Sequence, residues 1–243
     1  MNIAIILAGG TGTRMGMSLP KQYIEVMGKP VIAYCLERFV RHDRIDKLQI
    51  VAEKKWHGRI ISCFPENDME WQDKLAGFSK PGENRQLSVW NGLKDIRSYA
   101  EDRDNVVIHD SARPLVSNAM ISECLDMLKE HEGVMPALPM KDTVYLGKEG
   151  RIVSLLDRSR VIAGQAPEAF AFGKYYQANQ ELMPDQILKI NGSAEPAMMA
   201  GMDVVYIAGE ETNFKITTKA DLERFEQLLK QRKQGNEQLG GEI

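Results

Sequence analysis

Two hydrophobic patterns alternate along the chain: short unbroken apolar runs, and longer stretches in which apolar residues recur every three or four positions. The unbroken runs at residues 3–7, 48–52, 106–109, 134–137 and 204–208 predict strands buried on both faces, as in a parallel sheet. Helical spacing begins near Pro30, Arg85, Asn118, Gly173 and Thr218, and is clearest where Met120, Cys124, Leu125 and Leu128 share one face. The last of these stretches opens Thr217-Thr218-Lys219-Ala220-Asp221, a capping signature with an acid in the first turn. Strands and helices in alternation predict an α/β fold around a mostly parallel sheet.

Between residues 140 and 163 the helical period is lost. Thr143-Val-Tyr-Leu, Gly147-Lys-Glu-Gly150 and Arg151-Ile-Val-Ser-Leu-Leu read as a hairpin closed by a four-residue loop. Such a hairpin either packs on the sheet as an embellishment or reaches out as an arm to a partner subunit. The pattern contains no internal repeat, so residues 1–232 read as one domain carrying that hairpin. Residues 233–243, polar and glycine-rich, read as a flexible tail.

Composition constrains function more than fold. Of the 243 residues 43% are hydrophobic, which is enough for a packed core and excludes disorder for the bulk of the chain. Lys and Arg number 31 against 34 Asp and Glu, a formal charge of −3, which argues against holding nucleic acid by bulk charge. An anionic ligand must therefore be caught by locally placed cations. Cys35, Cys63 and Cys124 form no C-x-x-C pair, so they read as small buried hydrophobes rather than a zinc ribbon or disulfide framework. The first apolar run spans only Ile3 to Ala8, and none is long enough for a signal core or a membrane span. A soluble cytoplasmic protein is the expectation.

The first strand leads into Leu7-Ala8-Gly9-Gly10-Thr-Gly12-Thr-Arg14-Met-Gly16 and then Pro20-Lys21-Gln22. Glycines after a buried strand let backbone N–H groups approach an anion without Cβ obstruction. The ending lacks the Gly-Lys-Ser/Thr of a Walker loop, and the glycine spacing misses the G-x-G-x-x-G of dinucleotide sites, which counts against an NAD-linked oxidoreductase. Instead two cations follow, Arg14 and Lys21, suited to one polyphosphate. Asp110 closes the strand at 106–109, at the strand end where ligands gather, and a carboxylate beside a triphosphate is a natural Mg²⁺ ligand. Ser88 and Gly82 offer a hydroxyl and bare backbone, fitting either the polar edge of a base or a helix cap. His109, within an apolar strand, reads as a buried structural histidine.

The run A-G-G-x-G-x-R-M-G with P-K-Q, then Gly82-Glu-Asn-Arg85-Gln-Leu-Ser88, His109-Asp110-Ser-Ala-Arg113-Pro114, Asp142-Thr143 and Asn213-Phe-Lys215-Ile-Thr-Thr, resembles the polyol-phosphate cytidylyltransferases in order and spacing. These enzymes act on 2-C-methyl-D-erythritol 4-phosphate or ribitol 5-phosphate. The resemblance implies a Rossmann-like nucleotidyltransferase sheet with a β-hairpin arm at about 140–163, and transfer of CMP from CTP to a polyol phosphate with Mg²⁺. It implies nucleotide contacts from Ala8, Gly9, Gly10, Gly12, Gly82, Arg85, Ser88 and Asp110, with Asp110 holding the metal. Arg14, Lys21 and Lys215 would act on the reacting phosphates, and Arg113, Thr143 and Arg158 on the acceptor. It also implies a homodimer in which the arm completes the partner's acceptor pocket.

Two departures bear on the acceptor. Gln165-Ala166-Pro167-Glu168 stands where the erythritol-phosphate enzymes usually have Q-T-P-Q, and Asn191-Gly-Ser-Ala-Glu195-Pro-Ala-Met198 replaces their T-D-[DE]-A-S-x-x-E. Ribitol 5-phosphate, a cell-wall type of acceptor, is slightly favoured over methylerythritol phosphate of isoprenoid biosynthesis, because A-G-G-T-G-T-R-M-G and His-Asp-Ser-x-Arg-Pro look more like that branch and the T-D-D-A-S stretch is missing. Another polyol or sugar phosphate and a non-catalytic nucleotide-binding relative stay open.

Overall fold

The structure, a computed structural model, describes residues 1–10 and 19–239. In chain order the strands are β1 (Asn2–Leu7), the short ladder β2 (Glu25–Val26) and β3 (Lys29–Pro30), β4 (Lys47–Val51), β5 (Leu75–Ser79), β6 (Asn105–Asp110), β7 (Gly133–Pro139), β8 (Tyr145–Lys148), β9 (Arg151–Leu155), β10 (Ile162–Gly164), β11 (Glu168–Ala171) and β12 (Val204–Ala208). The helices are α1 (Val31–Val40), α2 (His57–Ile61), α3 (Met69–Lys74), α4 (Arg85–Ile96), α5 (Asn118–Met127), α6 (Phe172–Gln180), α7 (Ala194–Met199) and α8 (Lys219–Leu239).

The central sheet runs β10-β7-β11-β6-β1-β4-β5, with β12 added on β7. Strands β6, β1, β4 and β5 are parallel to one another, as the unbroken apolar runs require. The chain leaves β1 for β4 and β5 on one side, then returns to β6 on the other. Ligands bind outside such a reversal of strand order, at the carboxyl ends. The register there sets Leu7 beside Asp110.

Side chains of β1 alternate between two cores. Ile3 and Ile5 pack with Val89, Leu93 and Ile96 of α4 and with Phe172 and Tyr175 of α6. Ala4 and Ile6 pack with Leu36 and Phe39 of α1 and with Ile121 and Cys124 of α5. A smaller cluster of Val31, Leu115, Ile216 and Phe225 seats α8. The start of α8 bears out the capping signature: the Thr217 and Thr218 N–H groups donate to Asp221, and the Asp221 N–H donates to Thr218 Oγ1.

The five predicted strands are present, and the structure corrects four details around them. Strands β5, β10 and β11 carry no readable apolar run. β10 and β11 pair antiparallel with the two ends of β7, forming one strand interrupted at residues 165–167. The run at 204–208 forms β12, but as an outer strand bonded only to β7, which leaves Tyr206 63% exposed. The hairpin closes by a two-residue turn rather than the expected four, because Glu149 (φ 51°) and Gly150 (φ 75°) both adopt the left-handed conformation of a tight primed turn. Helix α8 runs on through residue 239 of the segment read as a tail, across Gly235 and Asn236; residues 240–243 lie outside the described residues.

Strands β8 and β9 form a separate sheet, exposed along both. The hairpin thus stands apart from the central sheet rather than adding strands to it. Cys35 and Cys124 are buried and Cys63 partly so, all as free thiols. Among the described residues no helix is long and apolar enough to cross a membrane.

Candidate functional site

The loop after β1 is held from below. Gln22, itself buried, donates through Nε2 to the carbonyls of Ala8 and Gly10 (2.7 Å each), and the Tyr23 hydroxyl donates to the Ala8 carbonyl at 3.1 Å. Tyr23 is fixed in turn by stacking on Trp56, ring centroids 4.3 Å apart. Lys21 begins the 3₁₀ turn that presents these two side chains. A Cβ on Gly9 would come within 2.5 Å of Pro81 Cβ, so this loop and the one before α4 touch only because position 9 has no side chain. Gly12 and Arg14 lie outside the described residues.

Asn84 caps α4, its side chain accepting from the Leu87 N–H at 2.7 Å. Ser88, one turn on, accepts from the Gly82 N–H (3.0 Å) and donates to the Asn84 carbonyl (2.9 Å). Its hydroxyl thus shapes the turn at Gly82, where a Cβ would strike Leu87 at 2.6 Å.

The centre of the site is Asp110. The Ser111 N–H and hydroxyl both bond the Leu7 carbonyl, at 3.1 and 2.7 Å, and so fasten the end of β6 to that of β1. The Asp110 carboxylate accepts from Arg85 Nε on Oδ1 (3.1 Å) and from Lys215 Nζ on Oδ2 (2.8 Å). Arg113 Nε lies 3.8 Å from Oδ2, buried and without a hydrogen-bond partner among the described residues, while its Nη1 donates to the Asn213 carbonyl at 2.7 Å. Burial opposes the charge on Asp110, but Arg85, Lys215 and Arg113 outweigh it and hold the carboxyl well below the usual range. Burial pulls Arg113 down slightly, against the attraction of the nearby carboxylates.

His109 is buried as expected, its Nε2 3.0 Å from the Arg113 carbonyl, and burial lowers the ring to about 4.

Two residues of the site escape sequence reasoning. Glu168 on β11 accepts from Arg85 Nη2 at 3.3 Å, and the buried Ser193 hydroxyl accepts from Arg85 Nη1. Burial pushes the Glu168 carboxyl up, more than Arg85 pulls it down. Both residues fall inside the segments that depart from the family pattern, and no local motif marks either. Glu195, the lone acid of the stretch from Asn191 to Met198, folds back to accept from the Asn191 N–H at 2.9 Å.

The structure does not bring Thr143 or Arg158 to this centre. Thr143 is exposed at the root of the arm, and the Arg158 guanidinium donates to the Lys141 carbonyl at 2.7 Å. Among the described residues there is no group of three or more His, Cys, Asp or Glu able to enclose a metal ion. The donor set does fit Mg²⁺ carried by a triphosphate, which needs one carboxylate beside phosphate oxygens and water. Asp110 offers one such carboxylate, with lone pairs left after its two hydrogen bonds.

Residues 2–231 match the family IspD, 2-C-methyl-D-erythritol 4-phosphate cytidylyltransferase. A protein of that name from Rubrobacter xylanophilus is 34% identical, covering 98% of both chains. A ribitol-5-phosphate cytidylyltransferase from Lacticaseibacillus paracasei is 29% identical over 96% of this chain and 99% of its own. The crystal structure of 2-C-methyl-D-erythritol 4-phosphate cytidylyltransferase from Francisella tularensis superposes with a TM-score of 0.77 at 27% identity, over 92% of this chain and 97% of that one.

Proposed function

The chain belongs to the IspD family of CTP-dependent cytidylyltransferases, and on that footing we propose that it moves CMP from CTP to a polyol phosphate, with ribitol 5-phosphate slightly ahead of 2-C-methyl-D-erythritol 4-phosphate. The observation that carries the site assignment is the convergence of Arg85, Lys215 and Arg113 on the buried Asp110 carboxylate, with Arg113 Nε unpartnered among the described residues. A guanidinium N–H left unsatisfied in a cleft is costly unless an anion arrives to take it.

In the reaction an oxygen of the acceptor phosphate attacks the α-phosphorus of CTP. The bond from that phosphorus to the bridging oxygen breaks in line, and pyrophosphate leaves with the electron pair. The attacking phosphate is already anionic, so no general base is needed. The barrier is mutual repulsion of polyanions, which positioned cations offset. In this reading Lys215 is assigned to the α-phosphate, Lys21 to the β- and γ-phosphates and Arg113 to the acceptor phosphate; Arg14, outside the described residues, is assigned with Lys21 on the sequence alone. Gln22 and Ser88 shape the two loops that receive the ribose and cytosine. Asp110 would hold Mg²⁺, which supplies charge neutralisation on the triphosphate.

The preference for ribitol 5-phosphate rests on the runs from Ala8 to Gly16 and from His109 to Pro114, and on the missing T-D-D-A-S stretch at 191–198. Relatives named for either acceptor resemble the chain over most of its length. The arm exposes Tyr145, Leu146, Ile152, Val153 and Leu155, and we assign it to docking on a second copy, where Thr143 and Arg158 complete the partner's acceptor pocket. The reaction is placed in the cytoplasm, where CTP is available.

The test is pyrophosphate release from CTP and Mg²⁺ with each of the two polyol phosphates, and mass spectrometry of the CDP-polyol. The ribitol 5-phosphate reaction is expected to have the higher kcat/KM. Folded protein that releases pyrophosphate with neither acceptor refutes the reading, and a higher kcat/KM with methylerythritol phosphate reverses the order.

A further inference from the structure

Arg85 is the junction of the site. Its Nε donates to Asp110, its Nη2 to Glu168 and its Nη1 to Ser193, acceptors brought in by β6, β11 and the residue just ahead of α7. A guanidinium is a rigid planar fork, so three acceptors on three elements fix its orientation. The Ser193 hydroxyl that accepts from Arg85 also favours the charged form of Glu168, so the three side chains form one closed group around the guanidinium, a ring in which Arg85 is the shared donor. A second layer backs this ring: the Tyr175 hydroxyl donates to the Ser193 carbonyl (2.8 Å), and Gln86 Nε2 lies against the Tyr175 hydroxyl (3.1 Å) and Asn179 Oδ1 (2.5 Å).

Asp110 belongs to the reaction centre and Ser193 to the acceptor-side segment. Glu168 has no such station. It stands opposite Ile108 on β6, which puts it on the same face of the sheet as Ile108 and Asp110. Its side chain is only 11% exposed. A carboxylate in that position costs free energy unless its partners compensate, so a core filler would serve packing better than an acid.

We propose that Glu168 is a positioning residue for the transfer: it holds the Arg85 guanidinium in the plane that joins Asp110 to Ser193, and so keeps the nucleotide end and the acceptor end of the site in fixed relation as the two phosphates approach. The inference rests on the reading of the Asp110 centre as the place of cytidylyl transfer. Glu168 touches neither reactant, so its loss is felt in the alignment of the reacting atoms and hardly in the capture of CTP.

Two variants test this. Glu168→Ala removes both the charge and the acceptor, whereas Glu168→Gln keeps an oxygen for Arg85 Nη2. With CTP and whichever polyol phosphate the wild type turns over, Glu168→Ala is expected to lower kcat about 10²-fold, the cost of an ångström-scale misplacement, with KM for CTP within about threefold. Glu168→Gln is expected to restore most of the lost kcat. Independently of turnover, amide hydrogen exchange over residues 191–199 is expected to quicken in Glu168→Ala and not in Glu168→Gln, because the link through Arg85 to Ser193 loosens only in the first.

Unchanged kcat in folded Glu168→Ala overturns the inference, as does an equal loss in both variants that tracks their thermal stability. A wild type that uses no acceptor defeats the proposed function alone; exchange over 191–199 then decides the role of Glu168, and no change there overturns it. If Glu168→Ala does not fold, Ser193→Ala breaks the same ring from the other side and is read by the same measurements.

Discussion

At the end of β6 the Asp110 carboxylate is almost covered, and each of its oxygens has a cationic partner. On the arm, by contrast, Ile152 is 73% and Leu155 65% exposed, and Thr143 stands in solvent beside them. The two regions differ in what they gather: Arg85, Arg113 and Lys215 converge on Asp110 inside one fold, whereas Thr143 and Arg158, the other residues assigned to the acceptor, are exposed on or beside the arm.

If that division is right, damage to the centre should strike turnover without regard to protein concentration. Lys215→Ala removes the ammonium 2.8 Å from Asp110 and is expected to lower kcat about 10²- to 10³-fold with the circular dichroism spectrum intact. A kcat/KM equal to wild type would remove Lys215 from the reaction.

The buried centre should also leave a mark on pH stability that the arm, which contains no histidine, cannot produce. Burial lowers the His109 ring from 6.5 to about 4, so across this window the folded chain binds fewer protons there than the unfolded chain. Stability therefore falls as pH drops from 6.5 toward 4, by ~3 kcal/mol for this group. Asp110, held down by its cations, keeps its contribution through this window and loses it only at lower pH. Glu168, pushed up by burial, acts in the opposite sense, gaining stability as the pH falls through its raised value. In His109→Gln the loss between pH 6.5 and 4, followed by thermal unfolding, should be shallower than in wild type; parallel curves would mean the ring is not held neutral.

Damage to the arm should behave differently. Ile152→Asp puts a charge on the arm's most exposed apolar position and is expected to shift the protein to monomer in sedimentation. With it, kcat/KM for the acceptor should fall about tenfold, a loss of ~1.4 kcal/mol, while CTP binding and melting temperature stay put. An unchanged oligomeric state would detach the arm from assembly. The smallest effect belongs to Ser88→Ala, which gives up two hydrogen bonds at the Gly82 turn. It should cost ~1 kcal/mol in urea unfolding and raise KM for CTP, with acceptor KM unaffected. A rise in both KM values would show that the turn at Gly82 serves more than the nucleotide side.

The parts legible from sequence were those whose signal is local. β1, β4 and β6 announce themselves as short runs dominated by Ile, Val and Leu, broken in β4 only by Gln49, and Asp110 closes the last of them. β11 is short, antiparallel and begins with a glutamate, so neither period applies to it. Glu168 and Ser193 reach Arg85 from 83 and 108 residues away, a distance no spacing rule spans. Lys21 and Gln22 lay in a recognisable motif, but the work of Gln22, holding the Ala8 and Gly10 carbonyls, shows only once β1 and the following turn are set side by side. The hairpin was visible, yet its two-residue turn was hidden because Glu149 is an uncommon residue for a left-handed conformation.

Gly9 and Pro81 meet in the floor of the cleft with no room between them for a methyl group. Drift at position 9 is thereby chained to position 81. Descendants of this gene that enlarge residue 9 would have to shrink or reroute residue 81 in the same step, and a laboratory library that randomises residue 9 alone should return almost nothing but glycine.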